Sequence, residues 1–162
     1  MTLFRTLLLS FVLIAGTSPS FAQSTQVAFG NVKSNSGLPV EVTADNLAVD
    51  QENGTAIFTG NVVIGQGEMR LSAARVLVVY RSDPSGIARL EATGGVTLVS
   101  GTDAAESERA DYNVDDATIV MTGNVLVAQG PSAITANTMT VQLNTGTAQM
   151  SGRVKTVLQT GD

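Results

Sequence analysis

Asp115 and Asp116 are adjacent in the sequence, and a pair of carboxylates is a combination that could support catalysis. A pair of carboxylates can hydrolyse a glycosidic bond. Adjacent residues of a strand point to opposite faces, however, so a turn is the better interpretation of this pair. The chain has no histidine and no cysteine, which removes His-based triads and His/Cys metal clusters. We predict a protein that is not an enzyme and that needs no metal or cofactor.

Four arginines form the second group with a clear chemical preference. Arg70, Arg75, Arg81 and Arg89 fall within a stretch of 20 residues. The planar guanidinium group suits bidentate binding of phosphate. The sequence leaves two interpretations open, an anion-binding patch or an ordinary solvated face. The net charge of −5 argues against binding to nucleic acid, which needs a basic surface.

Residues 1–22 have the pattern of a cleavable signal peptide. Arg5 precedes an apolar run over residues 7–16, and the small residues Ser20 and Ala22 follow it. The apolar run is shorter than the roughly 20 residues of a spanning helix. We therefore expect cleavage after Ala22, with an uncleaved membrane anchor as the alternative. The remaining chain, residues 23–162, has 8 basic and 14 acidic residues and fits one exported domain without disulfides.

The elements that would position these groups follow from an internal repeat. "TGNVVIGQG" at residues 59–67 recurs as "TGNVLVAQG" at residues 122–130. Glycine occupies the equivalent place at positions 60, 94, 123 and 152, spaced by 34, 29 and 29 residues. The repeat predicts four units, with five extra residues of the second unit in the turn-rich segment 80–86. The predicted units are residues 42–70, 71–104, 105–133 and 134–162.

Each unit has the pattern of two strands joined by a turn. Apolar and polar residues alternate, and the apolar phase shifts by one residue inside the first strand, as at a bulge or corner. Asn53-Gly54 and Thr145-Gly146 mark turns. The glycine within each return strand permits a sharp bend or a close backbone approach. The pattern predicts an all-β fold: an elongated antiparallel jelly roll, a curved β-sandwich or a short solenoid of four repeats of about 29 residues, with open strand edges. Residues 26–37 are predicted as a further N-terminal strand.

The segment "VTADNLAVDQENGTAIFTGNVVIGQGEMRLSAARV" resembles the OstA-like (LptA/OstA) family of lipopolysaccharide transport. The resemblance rests on the "A-D-x-x-x-x-D" strand, the "Gly-Asn-Val" return strand and the restart at "Ser-Ala", and "SERADYNVDDATIVMTGNVLVAQG" repeats the pattern. It implies a periplasmic jelly roll that holds lipopolysaccharide acyl chains between two sheets. It also implies head-to-tail self-association and a bridge between inner-membrane and outer-membrane transport components. A membrane-anchored inner partner of the same family, and an envelope scaffold that carries no lipid, stay open as alternatives.

The resemblance assigns candidate roles to the apolar residues and to the arginines. The inward faces of the predicted strands would form the lipid groove, although ordinary core packing is the better explanation of any single residue. The phosphates of the lipid head group would bind at Arg70, Arg75, Arg81 and Arg89. The predicted groove residues are Val42, Val49, Phe58, Val62, Ile64, Met69, Leu71, Val76, Val78, Tyr112, Met121, Val125, Met139, Val141 and Met150.

Overall fold

A computed structural model describes residues 25–82 and 86–158 of the chain. The predicted signal peptide and its cleavage point after Ala22 lie outside the described residues, as do residues 83–85 of the predicted insertion. Within the described ranges, no helix combines the length and the hydropathy that crossing a membrane requires.

The described residues form one antiparallel sheet of eleven strands and one short 3₁₀ helix, Val32–Asn35. The fourth to the tenth strands pair in chain order. At the ends, the second and third strands both pair with the fourth, the first pairs with the tenth, and the eleventh pairs with the ninth. The predicted all-β antiparallel fold is confirmed. The strands are β1 (Thr25–Ala28), β2 (Glu41–Thr43), β3 (Asn46–Asp50), β4 (Thr55–Gln66), β5 (Met69–Tyr80), β6 (Ile87–Ser100), β7 (Asp103–Asn113), β8 (Thr118–Gln129), β9 (Ser132–Gln142), β10 (Thr147–Ser151) and β11 (Lys155–Val157).

A bulge bends every long strand near its middle. In the pairing of β6 with β7, Gly94 and Gly95 lie opposite the single residue Glu108, because the register shifts between Thr93 and Val96. In the same way, two residues of β8 lie opposite one residue of β9, because the register shifts between Thr122 and Val125. An extra residue on one strand kinks it and increases its twist. The line of bulges therefore folds the whole sheet along a crease.

The repeated glycines lie on this crease and fit it for a steric reason. Gly60, Gly94, Gly123 and Gly152 all have φ between +75° and +86°. A Cβ atom on any of them would meet a side chain of the preceding strand at 3.0 Å or less. Only glycine combines the left-handed backbone with this close approach at little cost. The predicted four-fold repeat is thus confirmed as four copies of one corner.

The crease divides the sheet into two facing layers. Layer 1 contains the strand halves that end in the tight hairpins at residues 67–68, 101–102 and 130–131. Layer 2 contains the halves that end in the longer turns at residues 51–54, 114–117 and 143–146. Side chains of both layers fill one apolar core between them. The result is a curved, unclosed jelly roll with a closed crease on one side and a mouth on the other.

The segment between β1 and β2 runs along this mouth. The amide of Phe29 donates to Gly146 O in a layer 2 turn, 3.1 Å away. The amide of Asn31 then donates to Ser100 Oγ in layer 1. We call residues 29–38 the strap, because they cross the stack from the β10 end to the β2 end. Residues 26–37 were predicted as one further strand, but only β1 is a strand and the rest forms the strap.

Candidate functional site

The interior between the layers brings together most of the predicted groove residues. Twelve of the fifteen are no more than 2% exposed: Val62, Ile64, Met69, Leu71, Val76, Val78, Tyr112, Met121, Val125, Met139, Val141 and Met150. Val42 and Phe58 are partly buried and pack against the same core. The role of these residues in lipid binding stays a prediction, since burial alone fits ordinary core packing as well.

Val49 is not buried as the other predicted groove residues are, because 61% of its surface is exposed. Its partner on β4 is the buried Ala56, and directly opposite residues of paired strands share one face. Val49 and its neighbour Leu47, which is 56% exposed, therefore face the interior side but are not covered. The reason is that β3 is the last strand of layer 2 and nothing described packs over it. At the β3 end, the apolar interior is open.

A buried polar contact joins the two layers across the mouth. The Tyr112 hydroxyl of layer 2 donates to Gln66 Oε1 of layer 1 over 2.9 Å. The amide nitrogen of Gln66 donates in turn to the strap carbonyls of Leu38 and Ser36. Burial raises the pKa of Tyr112 above its ordinary value.

The raised pKa of Tyr112 predicts a loss of stability in alkali. The unfolded chain releases the tyrosine proton near pH ~10 while the folded chain still holds it, so the free energy of unfolding falls as the pH rises through that range. Tyr112→Phe should lose less stability between about pH 9 and 11, although it should be about 1–3 kcal/mol less stable at neutral pH because Gln66 Oε1 loses its donor. Denaturant titrations across pH test this, and parallel pH curves for the two proteins would contradict it.

The four predicted arginines do not form one patch. Arg70 lies on the exposed side of layer 1 and donates to Met69 O over 2.8 Å. Arg75 lies beyond the corner of β5, on layer 2. Arg81 pairs with Asp115, and Arg89 pairs with Glu91 at 3.1 Å. Binding of head-group phosphates by these residues stays a prediction, but the crease separates Arg70 from the other three.

The Asp115-Asp116 pair occupies the turn at residues 114–117, where the sequence placed it. The Asp116 amide donates to Asn113 Oδ1 over 3.1 Å, and the Asn113 amide group donates back to the Asp116 carboxylate. These contacts close the turn, and Asp115 is held by Arg81. Across residues 25–82 and 86–158, no three His, Cys, Asp or Glu side chains come close enough to hold a metal ion.

Arg109 is a charged residue that the sequence analysis did not select. Its guanidinium group contacts Glu91 Oε2 at 3.0 Å and also binds Asp111 on its own strand. These two carboxylates raise the pKa of Arg109. The alternating pattern of β7 places this network on the outer side of layer 2, away from the interior. The network therefore ties neighbouring strands together and does not line the mouth.

Two strap residues, Phe29 and Val32, were also missed, and both are fully buried in the interior. The available signal was the presence of large apolar side chains, including Leu38, in a segment rich in polar residues. Alternation cannot reveal their role, because the strap is not a strand. Their burial depends on the tertiary fold, which brings the strap into hydrogen-bond contact with residues that are 69 and 73 positions away in the chain.

Fold and interior together define a class of protein. It is an elongated all-β module with an apolar interior that is open at one end, the kind of structure that encloses apolar ligands or assembles end to end. The sequence profile of the LptA/(LptD N-terminal domain) LPS transport protein family matches residues 41–147. The chain belongs to this family.

Individual relatives agree with this placement. The chain is 31% identical over 149 residues to a Rhizobium meliloti protein of unassigned function, covering 85% of this chain and 80% of the relative. It is 27% identical over 138 residues to the lipopolysaccharide export system protein LptA of Haemophilus influenzae (78% and 80% covered). For Escherichia coli LptA, the identity is 25% over 140 residues (83% and 71% covered).

A solved structure shares the fold. The crystal structure of LptH from Pseudomonas aeruginosa, described as the LptA-homologous periplasmic component of a lipopolysaccharide transport device, aligns with a TM-score of 0.69. The alignment covers 78% of this chain and 99% of LptH at 19% sequence identity. The curved, unclosed β-jelly roll is therefore an architecture that a solved protein also adopts.

Proposed function

We propose that this chain is a periplasmic lipopolysaccharide transport protein that shields acyl chains between its two layers. In this proposal it is exported by residues 1–22, and the domain of residues 23–162 bridges inner-membrane and outer-membrane transport components. Support comes from the family placement and from relatives that carry the name of lipopolysaccharide export proteins.

One structural observation carries the proposal. The apolar interior extends through the stack as one cluster from the β4 end to Met150 on β10, and it is uncovered at the β3 end. An acyl chain needs a long apolar lining that excludes water. Met69, Met121, Met139 and Met150 are fully buried in this interior. Methionine is flexible and polarizable, so these side chains can repack around a ligand of variable shape.

The bridging part of the proposal rests on the ends of the stack. Layer 1 ends in β2 on one side and β11 on the other, and layer 2 ends in β3 and β1. A terminal strand exposes backbone donors and acceptors that a strand of another molecule can satisfy. Because the two ends differ in sequence, such a contact joins molecules head to tail. A family partner with the same fold would extend the interior of this protein in the same way.

Photocrosslinking at Phe58 tests the enclosure of lipid. A benzoylphenylalanine at this position lies on the interior side at the open end and should crosslink to lipopolysaccharide. The matched control is Ile57, the adjacent residue, whose side chain points to the outer face of the same strand. We expect a lipid adduct at position 58 and at most about a tenth as much at position 57, as the dry interior and the wet outer face imply.

The outcomes separate lipid carriage from a purely structural role. An adduct at neither position would contradict enclosure and favour an envelope scaffold that assembles through the same edges. Equal adducts at both positions would indicate lipid adsorbed on the surface, which also contradicts enclosure. The mature N-terminus, read by mass spectrometry, tests export separately, because Gln23 is expected if cleavage follows Ala22.

A further inference from the structure

The interior has two long sides, and only one of them can open. On the crease side, each long strand continues through its corner from one layer to the other, so the layers are joined by the backbone. On the mouth side, the layers are joined by the side-chain contact of Tyr112 with Gln66 and by the strap. An opening of the jelly roll that keeps its strands intact must therefore occur at the mouth.

The strap is held in the mouth by polar contacts as well as by the two buried apolar side chains of Phe29 and Val32. The amide of Gly30 donates to Asp103 Oδ2 over 2.8 Å, and that of Asn31 donates to Ser100 Oγ over 3.1 Å. Asn35 accepts from the Glu68 amide over 3.3 Å. Polar contacts of this kind are exchanged for water at a small net cost when a segment moves out.

Three buried polar side chains mark the same boundary. Asn35, Gln66 and Ser100 are no more than 4% exposed, yet all three lie between the strap and the layers. If the strap served only to complete the core, its boundary with the layers would be expected to be apolar. A buried polar group is costly unless it has a hydrogen-bond partner. With the strap in place, Gln66 and Ser100 bind the strap, and Asn35 of the strap binds the Glu68 amide; with the strap displaced, all three meet water.

Only Phe29 and Val32 of the strap reach the hydrocarbon interior with large apolar side chains that are fully buried. They belong to the same core cluster as Leu98, Met121 and Met139. Their side chains, an aromatic ring and a short β-branched group, pack in the apolar core cluster. The interior is otherwise filled by the layers' own side chains, so an acyl chain that enters at the mouth meets these two residues first.

We propose that the strap is a displaceable closure and that acyl chains enter the interior through the mouth that it covers, replacing Phe29 and Val32. This inference rests on the proposed function and adds the route of entry to it. The two ends of the strap stay anchored, since β1 pairs with β10 and β2 pairs with β4. The strap therefore moves as a tethered loop and can close again over a bound lipid or an empty interior.

A reversible link between the strap and layer 1 tests the proposal. The chain has no cysteine, so Asn31→Cys with Glu68→Cys places the only two thiols on side chains that contact each other at 3.3 Å. A short bis-methanethiosulfonate reagent then joins the strap to the layer, and a reducing agent releases it. The matched control is Thr118→Cys with Gln142→Cys, which links β8 to β9 at an exposed contact of 3.0 Å that includes no strap residue.

Binding of purified lipid A is measured before and after reduction, with deacylated lipid A as a test of the acyl requirement. We expect the linked strap to weaken binding by at least about tenfold, because few molecules reach the open state, and reduction to restore it. The control link should leave binding unchanged. Equal binding by the linked and reduced proteins would overturn the strap proposal alone. If the linked protein, the reduced protein and the control all fail to bind lipid A, both the proposed function and the strap proposal are overturned.

A second variant opens the strap instead of locking it. An alanine Cβ at Gly30 would lie 2.3 Å from the backbone oxygen of Ser100, so Gly30→Ala should push the strap away from layer 1. The control Gly54→Ala has the same kind of backbone, with φ +61°, but no atom within 4 Å of the added Cβ. We expect more binding of an apolar dye and faster uptake of lipid A for Gly30→Ala than for Gly54→Ala. Identical dye binding and uptake by the two variants would overturn the proposal.

Discussion

Gly94→Ala is expected to lower the free energy of unfolding by about 2–5 kcal/mol, whereas Gly95→Ala should cost only about 1–2 kcal/mol. Both glycines have nearly the same backbone, with φ of +86° and +84°. An added Cβ at Gly94 would lie 2.8 Å from the Cβ of Ala74, but at Gly95 it would meet nothing within 4 Å. The first substitution adds a steric clash to backbone strain, and the second adds strain alone. Chemical denaturation of the two variants measures the difference.

A compensating substitution identifies the source of that difference. Ala74→Gly removes the atom that the new Cβ would strike, so it should recover about 1–3 kcal/mol in the Gly94→Ala background. In the original protein, the same change should be mildly unfavourable, because glycine weakens a strand. Equal losses for Gly94→Ala and Gly95→Ala, or no recovery from Ala74→Gly, would show that the corner is not sterically tight.

The corner explains why the sequence repeats itself. At the first corner, Asn61 with φ of +46° follows Gly60 and donates its side-chain amide to Asp45 Oδ2 over 2.8 Å. The third corner reproduces this contact between Asn124 and Glu108 over 2.6 Å. Asparagine tolerates the left-handed region better than most residues. The Gly-Asn-Val motif is therefore a local solution to a bulged bend at the first and third corners, and Gly-Gly-Val and Gly-Arg-Val take its place at the second and fourth.

This local character is why much of the fold could be predicted from the sequence. Alternation assigns each side chain to a face, and the glycine spacing locates the corners, because both depend on neighbours within one hairpin. Twelve predicted groove residues lie inside for this reason. The period could not reveal that Val49 is exposed, since alternation gives the face of a residue but not whether another element covers it.

The remaining features depend on contacts between distant residues. The strap contacts residues of the layers that are 28 to 117 positions away in the chain, and no short-range pattern encodes such a crossing. The arginines illustrate the same limit. Arg70 and Arg75 are close in sequence, but the corner of β5 lies between them and sends them to different layers. The closeness of these arginines in the sequence suggests one basic patch, but the fold places them on two different layers.

The open ends of the stack carry exposed apolar side chains. Leu47 and Val49 are 56% and 61% exposed at the β3 edge, and Val157 and Leu158 are 52% and 69% exposed at or beside the β11 edge. Natural edge strands are commonly protected by lysine or proline. The β3 edge has neither within Asn46–Asp50. The β3 edge is therefore unprotected, whereas β11 begins with Lys155. Head-to-tail pairing of two copies would bury the apolar residues at both edges.

Leu47→Lys with Val49→Lys is therefore expected to weaken self-association by about 100-fold, as loss of a central apolar contact does at other interfaces. The control Val99→Lys with Leu126→Lys makes the same charge change at residues that are 37% and 39% exposed but lie on β6 and β8, which are paired on both sides. The parent chain is acidic, so added lysines reduce its overall self-repulsion in both variants. Light scattering across protein concentration should then show dissociation of the β3 variant alone. Association that survives in the β3 variant, or that is lost equally in the control, would contradict assembly through this edge.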